Sequence, residues 1–364
     1  MNPPVRLLTF VAIIACVIIL AFILLSAISA CFINFANANL ARAVSLPNDA
    51  PMRLAALDQA SPQLLVAQTW SQNPRIDLAF ARSWLENKQS QNAVVALQTA
   101  GDGLRDDFMA QFVWGNAEWQ AGNSGAAFEH WRTAGALEYF VQATRRALSQ
   151  DQWQSAVELA RIVVGIAPND ANVHYLLGDA LSHQSPNDIE AMSELARAEQ
   201  LIGNHDNEFL STILSRHGEI LAAQGKYAQA IDLFNHARQV ASLDARPRTD
   251  YARAILNVDP ASVGEAKKLL EQVVADSPWY TDAYILLADL AEKNGDMLGA
   301  EMWYKTGLQK NPNDARLFFP LGEFYVQQNK RDEAQATLTL ALKYETRADV
   351  LESIARALAQ VKSQ

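Results

Sequence analysis

A pattern of small and bulky apolar residues recurs every 34 residues in the C-terminal half of the chain. One copy starts at Thr281 and consists of Tyr284, Leu287, Ala288, Ala291, Gly295, Ala300, Tyr304, Gly307 and Pro312. The next copy has Phe318, Leu321, Gly322, Tyr325, Asn329, Ala334, Leu338 and Ala341 at the matching offsets. The small residues let two antiparallel helices approach closely, and the bulky ones fill the space between neighbouring pairs. Because one hairpin cannot bury its apolar face alone, the pattern predicts a stack of helical hairpins.

This pattern resembles the tetratricopeptide repeat, which has Leu-Gly or Leu-Ala in its first helix and small residues at two positions of its second. Eight copies begin near Pro74, Phe108, Leu137, Ala171, Ser211, Pro247, Thr281 and Ala315. The copies at Pro74 and Pro247 match less closely, and the first helix of the Pro247 copy has an ambiguous register. The resemblance implies an all-α fold, a right-handed α-solenoid of about eight helical hairpins.

The residues on either side of the repeats predict further helices. Residues 347–364 read as a capping helix, since Val350, Leu351, Ile354, Leu358 and Val361 give it one apolar side. Residues 49–73 read as two short helices, 50–60 and 62–71, which form a degenerate starting hairpin. The predicted organisation is a tail at 1–6, a transmembrane helix at 7–33, a linker at 34–48, the helical pair at 49–73, the repeats at 74–346 and the cap at 347–364.

The predicted transmembrane helix is an apolar run from Leu7 to Ile33 without charge, proline or glycine. At 1.5 Å per residue it is about 40 Å long, enough to cross a hydrocarbon core of about 30 Å. A retained single-pass anchor is the preferred interpretation. Two alternatives stay open: cleavage after Ala38 in the Ala36-Asn37-Ala38 motif, and lipidation at Cys31, which follows a lipobox-like Ile28-Ser29-Ala30. The short basic tail at Arg6 favours an extracytoplasmic C-terminal region.

The charge of the remaining chain argues against several partners. Only Arg6 precedes residue 39, so the rest carries 29 basic and 40 acidic side chains, a net charge of −11. Neither a basic cluster for nucleic acid nor a polybasic segment for anionic lipid occurs in it. We therefore expect protein partners, contact with the membrane through the N-terminal helix and no binding of nucleic acid.

No catalytic or cofactor motif is evident in the sequence. Both cysteines, Cys16 and Cys31, lie in the apolar run, and the six histidines form none of the usual metal-ligand spacings. Phosphate-binding glycine loops and nucleophile motifs are also absent from the sequence. We therefore expect a protein without enzymatic activity, cofactor or metal.

The resemblance also implies a binding surface, because positions 2, 5, 9, 12 and 13 of the first helices line the concave groove of this family. The matching residues are Arg82, Glu86, Phe112, Asn116, Trp119, Gln120, Arg145, Tyr175, Asp179, His183, Glu219, Asp289, Glu292, Glu323 and Gln327. The C-terminal members are mostly acidic, and the basic set with which some family members clamp a terminal carboxylate is absent. A partner with basic or polar, partly extended segments fits this groove better, while the alternative is that the acids form only a solvated face.

Two functions follow from these expectations. The preferred one is a membrane-tethered scaffold or adaptor in an envelope-associated complex for assembly, secretion or polysaccharide export, as the resemblance implies for bacterial members. The alternative is a glycan- or peptidoglycan-binding accessory subunit of an envelope enzyme, with Trp119, Phe112 and Tyr175 as stacking platforms.

Overall fold

A computed structural model describes residues 3–44, 62–68, 73–185, 188–203 and 205–363. Throughout these residues the regular structure is helical, and no strand occurs among them. The chain divides into two compact units, Met1–Pro168 and Asn169–Gln364.

Unit 1 holds the N-terminal helix and three hairpins. Its helices are α1 (Pro3–Val44), α2 (residues 62–68), α3 (Pro74–Glu86), α4 (Ser90–Ala100), α5 (Phe108–Gln120), α6 (Ser124–Thr133), α7 (Leu137–Ser149) and α8 (Trp153–Ile166), with a 3-10 turn at Gly101–Leu104. Each helix from α3 onward packs against the next one in its pair, α3 on α4, α5 on α6 and α7 on α8.

Unit 2 holds five hairpins and a last helix. Its helices are α9 (Ala171–Gln184), α10 (Ile189–Ile202), α11 (Asn207–Ala223), α12 (Tyr227–Val240), α13 (Ala245–Val258), α14 (Val263–Asp276), α15 (Thr281–Lys293), α16 (Met297–Lys310), α17 (Ala315–Gln327), α18 (Arg331–Tyr344) and α19 (Ala348–Ser363), with a 3-10 turn at Pro260–Ser262. Helix α19 packs on α18 with Ile354 and Val361 buried. The predicted all-α fold of eight hairpins and a C-terminal helix is thus confirmed.

Aspartate caps set the start of most first helices, the odd-numbered members of the hairpins. The capping residues of α5, α9, α11, α13 and α17 are Asp107, Asp170, Asp206, Asp244 and Asp314. Each carboxylate accepts a hydrogen bond from a backbone N–H of the first turn, as Asp206 does from Phe209 at 2.9 Å. Such a cap stabilises a helix by about 1 kcal/mol, because that N–H has no partner within the helix.

The small residues of the repeat allow the two helices of a hairpin to come together. Gly218 of α11 faces Phe234 of α12, and a Cβ on Gly218 would lie 2.6 Å from the ring. Gly115 faces Trp131 in the same way in unit 1. Both aromatic side chains are only 2% exposed. The glycine of the first helix therefore leaves the space that the aromatic ring of the second helix occupies.

Helix α1 extends beyond the apolar run and joins the core of unit 1. Ser29, Ile33 and Ala36 are buried, and the Ser29 hydroxyl donates to the carbonyl of Ala67 at 3.3 Å. Ile33 and Ala36 share a hydrophobic cluster with α2 and α3. The sequence predicted a linker of uncertain structure at 34–48, but residues 34–44 continue the helix. That expectation was wrong for these residues, because alanine, leucine and arginine, which favour helices, make up more than half of the segment and Ala36 packs in the hydrophobic cluster with α2 and α3.

The N-terminal part of α1 presents apolar side chains outward. From Val17 to Leu24 the large side chains are exposed, Phe22 at 74%. Between Val17 and Asn39 the helix is long and apolar enough to cross a membrane, a test that a signal sequence near an N-terminus also passes. The predicted helix at 50–60 lies outside the described residues, whereas residues 62–68 of its predicted partner are helical.

Candidate functional site

The first helices of unit 2 lie side by side. Helix α11 contacts both α9 and α13, and α15 contacts both α13 and α17. Polar side chains at equivalent positions of successive first helices are therefore neighbours, and a row of charges forms across α9, α11 and α13. We call it the charge ladder; its members are Asp179, Arg216, Glu219, Arg246, Asp250 and Arg253.

Arginines of the charge ladder join neighbouring helices. Arg216 lies between Asp179 and Glu219, with its Nε 2.7 Å from Asp179 Oδ1 and one terminal nitrogen 3.0 Å from Glu219 Oε2. Arg246 of α13 donates to the other oxygen of Glu219 through its Nε at 3.0 Å. Both oxygens of Glu219 are thus occupied. Because the charges alternate, each arginine–carboxylate pair offsets part of the free-energy cost of removing its two groups from water, and like charges are kept apart.

Asp250 is the least satisfied member of the charge ladder. The residue is 6% exposed, and its Oδ1 accepts from Arg253 at 3.1 Å. Its Oδ2 is buried and accepts no hydrogen bond, and Arg246 Nε lies 3.8 Å from it. Burial, and then the nearby charge of Glu219, raise the pKa of Asp250 to about 7, although Arg253 and Arg246 oppose the rise. A nearby cation stabilises the charged form of such a buried, incompletely hydrogen-bonded carboxyl more than it stabilises an exposed carboxylate.

A cavity of about 260 Å³ lies beside Asp250. Tyr227 and Phe234 of α12 line it together with Glu219 of α11 and with Arg253 and Asn257 of α13. Its wall therefore combines two carboxylates and a guanidinium with two aromatic side chains and an amide. Such a mixture of an apolar lining and a few polar groups is typical of a binding pocket.

Four of the groove residues predicted from the sequence lie in or beside the charge ladder. Asp179 and Glu219 are members, and the exposed His183 has its Nε2 3.6 Å from Asp179. Tyr175 is half-buried with its ring edge-on to Phe209 at 5.5 Å. Burial, and then the charge of Asp179, raises the pKa of the Tyr175 hydroxyl, so this group stays neutral and can donate a hydrogen bond.

The remaining predicted residues of unit 2 are placed differently. Asp289 and Glu292 of α15 both accept from the hydroxyl of Tyr304 on α16, at 3.2 and 3.1 Å. These two carboxylates hold the hairpin together, although both stay partly accessible. Glu323 and Gln327 of α17 are exposed. The acidic row therefore continues past the charge ladder, but part of it is engaged in packing.

In unit 1 the predicted residues do not form one surface. Phe112 packs on Tyr139 and Phe140 of α7, and the Asn116 amide oxygen accepts from the Trp131 indole at 3.2 Å. Trp119, 40% exposed, lies against Phe128 and Trp131 of α6 rather than beside α7. The others are half-buried or exposed, namely Arg82, Glu86, Gln120 and Arg145. Aromatic packing, not a polar groove, dominates this part of the chain.

Two ladder residues on α13, Arg246 and Arg253, were missed from the sequence because of a register error, whereas Asp250 occupies no groove position in either register. The sequence placed the start of this repeat near Pro247, but α13 begins at Ala245 behind the Asp244 cap. With the corrected start, Arg246 and Arg253 occupy positions 2 and 9 of the repeat. In tetratricopeptide repeats these positions line the groove. The Asp-Ala-Arg-Pro run at 244–247 was the available signal, since an aspartate cap shortly before a proline marks a helix start.

No group of three or more histidine, cysteine, aspartate or glutamate side chains suited to a metal ion occurs in the part of the chain that the structure describes. The ladder carboxylates instead face arginines, whose positive charge would oppose a bound cation of high charge. The chemistry of the site is therefore that of hydrogen bonds and ion pairs.

No curated protein matches the sequence. Three solved structures are similar to it: one titled as the functional characterization of pilF from Pseudomonas aeruginosa (17% identity, 61% of this chain and 97% of that one, TM-score 0.44), a human IFIT1 dimer with PPP-AAAA (15%, 85% and 78%, 0.49) and the P58(IPK) TPR domain (17%, 90% and 99%, 0.30).

A family model described as tetratricopeptide repeat matches residues 262–318, from the end of the turn before α14 to the first part of α17. The matched segment contains a complete hairpin, α15 with α16, and seven further hairpins of similar length accompany it. This segment of the chain therefore matches the tetratricopeptide repeat.

Proposed function

We propose that the protein is a membrane-tethered adaptor whose charge ladder holds a polar or basic, extended segment of a partner protein. Tetratricopeptide repeats are scaffolds for protein–protein interaction, which supports the general role. The observation that carries the finer proposal is the charge ladder itself. It places donors and acceptors in alternation across three neighbouring helices, and an extended partner segment would bind there by exchanging some of these internal ion pairs for contacts with its own polar groups.

The acidic balance of the chain favours a basic partner. Beyond the charge ladder, Glu323 adds an exposed negative charge on α17, whereas Asp282 of α15 is paired with Arg316 at 3.2 Å. Carboxylates in such a row steer a positively charged segment toward the surface and fix its register more than they raise its affinity. A role in an envelope-associated complex, without catalysis, fits this arrangement.

The N-terminal helix supports the membrane part of the proposal. The side chains from Val17 to Leu24 have no cover within the described structure, whereas Ile33 and Ala36 belong to the core of unit 1. Cleavage after Ala38 would remove these packed residues and uncover apolar surface on α2 and α3. We therefore favour a retained anchor over cleavage, with the repeats on the extracytoplasmic side.

A photo-crosslinking residue in place of Asn257 tests the adaptor role in intact membranes. This side chain is exposed at the edge of the cavity beside the charge ladder. We expect a discrete crosslinked product at Asn257 and none at Lys268, an exposed position on α14, the other helix of the same hairpin. Equal products at both positions, or a product at Lys268 alone, would contradict the proposed surface.

The topology can be tested with a single thiol. In a chain with Cys16 and Cys31 replaced by serine, Gln91→Cys places one thiol at an exposed position of α4. We expect a membrane-impermeant maleimide to label it in intact cells. Labelling only after lysis would place the repeats on the cytoplasmic side.

A further inference from the structure

A cavity of about 370 Å³ lies in unit 1 between α1 and α3. One face of each helix lines it, since the residues follow the i, i+3, i+4 and i+7 spacing of a single helix face. They are Ala30, Ile33, Asn34 and Asn37 of α1 and Arg75, Leu78, Ala79 and Arg82 of α3, and Asn73, Asp107 and Met109 complete the described lining. The volume is in the usual range for a small-molecule pocket.

The two guanidinium groups of this cavity have no carboxylate partner. Among the described residues neither Arg75 nor Arg82 forms an ion pair; Arg75 is exposed and Arg82 is half-buried. Asp107 supplies the one carboxylate of the described lining, and its Oδ1 accepts from the backbone N–H of Ala110 at 3.0 Å. The described lining therefore carries one more positive than negative charge, and an anion can reach these arginines without breaking an internal ion pair.

The amide side chains of the lining supply further donors. Asn34 and Asn37 lie one turn apart on α1, and each amide has two N–H groups. The Asn73 amide oxygen accepts from the backbone N–H of Arg75 at 3.0 Å, which leaves its NH₂ group as a donor toward the cavity. Guanidinium forks bind phosphate oxygens through paired hydrogen bonds, and amide N–H groups can complete such a set. The lining therefore suits a phosphate that carries one negative charge.

The cavity lies where the apolar run of α1 ends. Asn34 is the first amide after the run from Leu7 to Ile33. Ala30 lies six residues beyond the exposed Leu24, which is about 9 Å along the helix axis. A headgroup layer is about 5–7 Å thick on each side of the hydrocarbon core. With Leu24 at the edge of that core, the phosphates of the same leaflet lie within reach of a long arginine side chain at the cavity.

We propose that this cavity binds the phosphate of one membrane phospholipid, with Arg75 and Arg82 donating to its oxygens and Asn34 and Asn37 as further donors. The proposal rests on the proposed function, because it needs α1 to be in a membrane. It differs from a polybasic segment, since the fold and not a run of basic residues brings the two arginines to one helix face. The bound headgroup bridges α1 and α3 and so joins the anchor to the first hairpin.

Native mass spectrometry of the full chain in detergent tests the proposal. The probes are phosphatidylglycerol, diacylglycerol with the same acyl chains, and soluble glycerol 3-phosphate. We expect one phosphatidylglycerol to bind at least about tenfold more tightly than diacylglycerol, because only the first can accept hydrogen bonds from both guanidinium groups. Equal binding of these two lipids would overturn the proposal. Glycerol 3-phosphate that binds as tightly as phosphatidylglycerol would identify a free phosphate compound as the ligand and overturn the lipid assignment.

Two double variants separate the cavity from general charge attraction. Arg75→Gln with Arg82→Gln should remove the preference for phosphatidylglycerol. Arg146→Gln with Lys268→Gln removes the same two charges at exposed positions outside the lining and should keep it. A preference that survives the first pair, or that both pairs lose equally, would overturn the proposal.

A helical spectrum and an unchanged melting profile identify the variants that fold. Where the double variant at the cavity does not fold, Arg75→Gln alone takes its place, because this exposed side chain makes no ion pair among the described residues. We expect that single variant to weaken the preference at least about threefold, since one of the two charged donors is lost. An unchanged preference would overturn the proposal.

The failure of this proposal is distinguishable from failure of the proposed function. A chain that is recovered with membranes and crosslinks at Asn257, but shows no preference for phosphatidylglycerol, would leave the tethered adaptor standing and refute the lipid site. A preference in the purified full chain, together with recovery in the soluble fraction of cells, would support the site and refute the tether.

Discussion

Replacing Gly218 with alanine tests the packing that holds each hairpin together. The new Cβ would lie 2.6 Å from one ring carbon of Phe234 and 2.9 Å from two others. The ring cannot move freely, because Phe234 is 2% exposed and packs with Leu221, Ala230 and Ala254. Overpacking of this kind costs about 1–3 kcal/mol.

A second effect acts in the opposite direction. Alanine in a helix interior is about 1 kcal/mol more favourable than glycine, so the substitution also stabilises α11 as an isolated helix. The net expectation is that Gly218→Ala lowers the free energy of unfolding of the α11–α12 hairpin by up to about 2 kcal/mol, the difference between the steric and propensity terms.

Gly264→Ala in α14 is the matched control. A Cβ at Gly264 meets no atom within 4 Å, so only the propensity term applies there. We expect this variant to stabilise its hairpin by up to about 1 kcal/mol. The comparison of the two variants isolates the cost of the contact with Phe234.

Hydrogen exchange followed by mass spectrometry measures both effects locally in the full chain. Because the stability of a repeat array is the sum of local terms, the peptides from α11 and α12 report on Gly218→Ala directly. A loss of about 1.4 kcal/mol speeds their exchange about tenfold. Exchange that is unchanged or slower in Gly218→Ala, as in the control, would refute the idea that this glycine is required for the close approach of Phe234.

The remaining predictions concern charge, the anchor and the glycan alternative. Since the folded pKa of Asp250 is raised from 3.8 to about 7, the folded state binds its proton more tightly, and stability should fall as pH rises from about 4 to about 7, by at most about 1.4 kcal/mol per pH unit. The groups that face this carboxyl are Glu219, Arg246, Arg253, Tyr280 and Asp282. Asp250→Asn should flatten that part of the stability curve in denaturant titrations, and an unchanged slope would contradict the assignment. Deleting residues 1–28 should leave α3 and α4 protected from hydrogen exchange, whereas deleting 1–41 should expose them, because only the second deletion removes the buried Ile33 and Ala36; equal protection would show that α1 contributes nothing there. Trp119→Ala should not change binding of purified peptidoglycan or glycan, since this indole packs on Phe128 and Trp131; a saturable signal lost in the variant would favour the glycan-binding alternative instead.

The repeat starts were predictable where packing residues define them. Helices α3, α5, α7 and α9 begin at the predicted Pro74, Phe108, Leu137 and Ala171, and α15 begins at Thr281. The small residues at close helix contacts tolerate few substitutions, so they leave a periodic record in the sequence. The cap of α11 departs from this periodicity. Helix α11 begins at Asn207 rather than near Ser211 because Asp206 caps it one turn earlier.

The groove was harder to predict because each side chain has neighbours that the repeat does not specify. Glu292 occupies a groove position of the repeat, yet its carboxylate accepts a hydrogen bond from Tyr304 of the adjoining helix. Trp119 likewise turns to the aromatic side chains of α6. Asp250, which lies between two groove positions, becomes important only because Arg246 and Arg253 flank it one turn away on either side. Position in a repeat predicts the direction of a Cα–Cβ bond, whereas the partner of the side chain depends on the facing helix.

The continuity of α1 links two equilibria that a flexible tether would keep separate. Ile33 and Ala36 can complete the core of unit 1 only while the helix is held in place, and the exposed side chains before Leu24 are stable only in an apolar phase. With the anchor in a bilayer, as proposed, insertion and folding of the first hairpin therefore reinforce each other by linkage. Extraction from the membrane would lower the stability of unit 1, and unfolding of the first hairpin would loosen the anchor. The folding free energy of unit 1 would then depend on whether α1 is inserted in the bilayer.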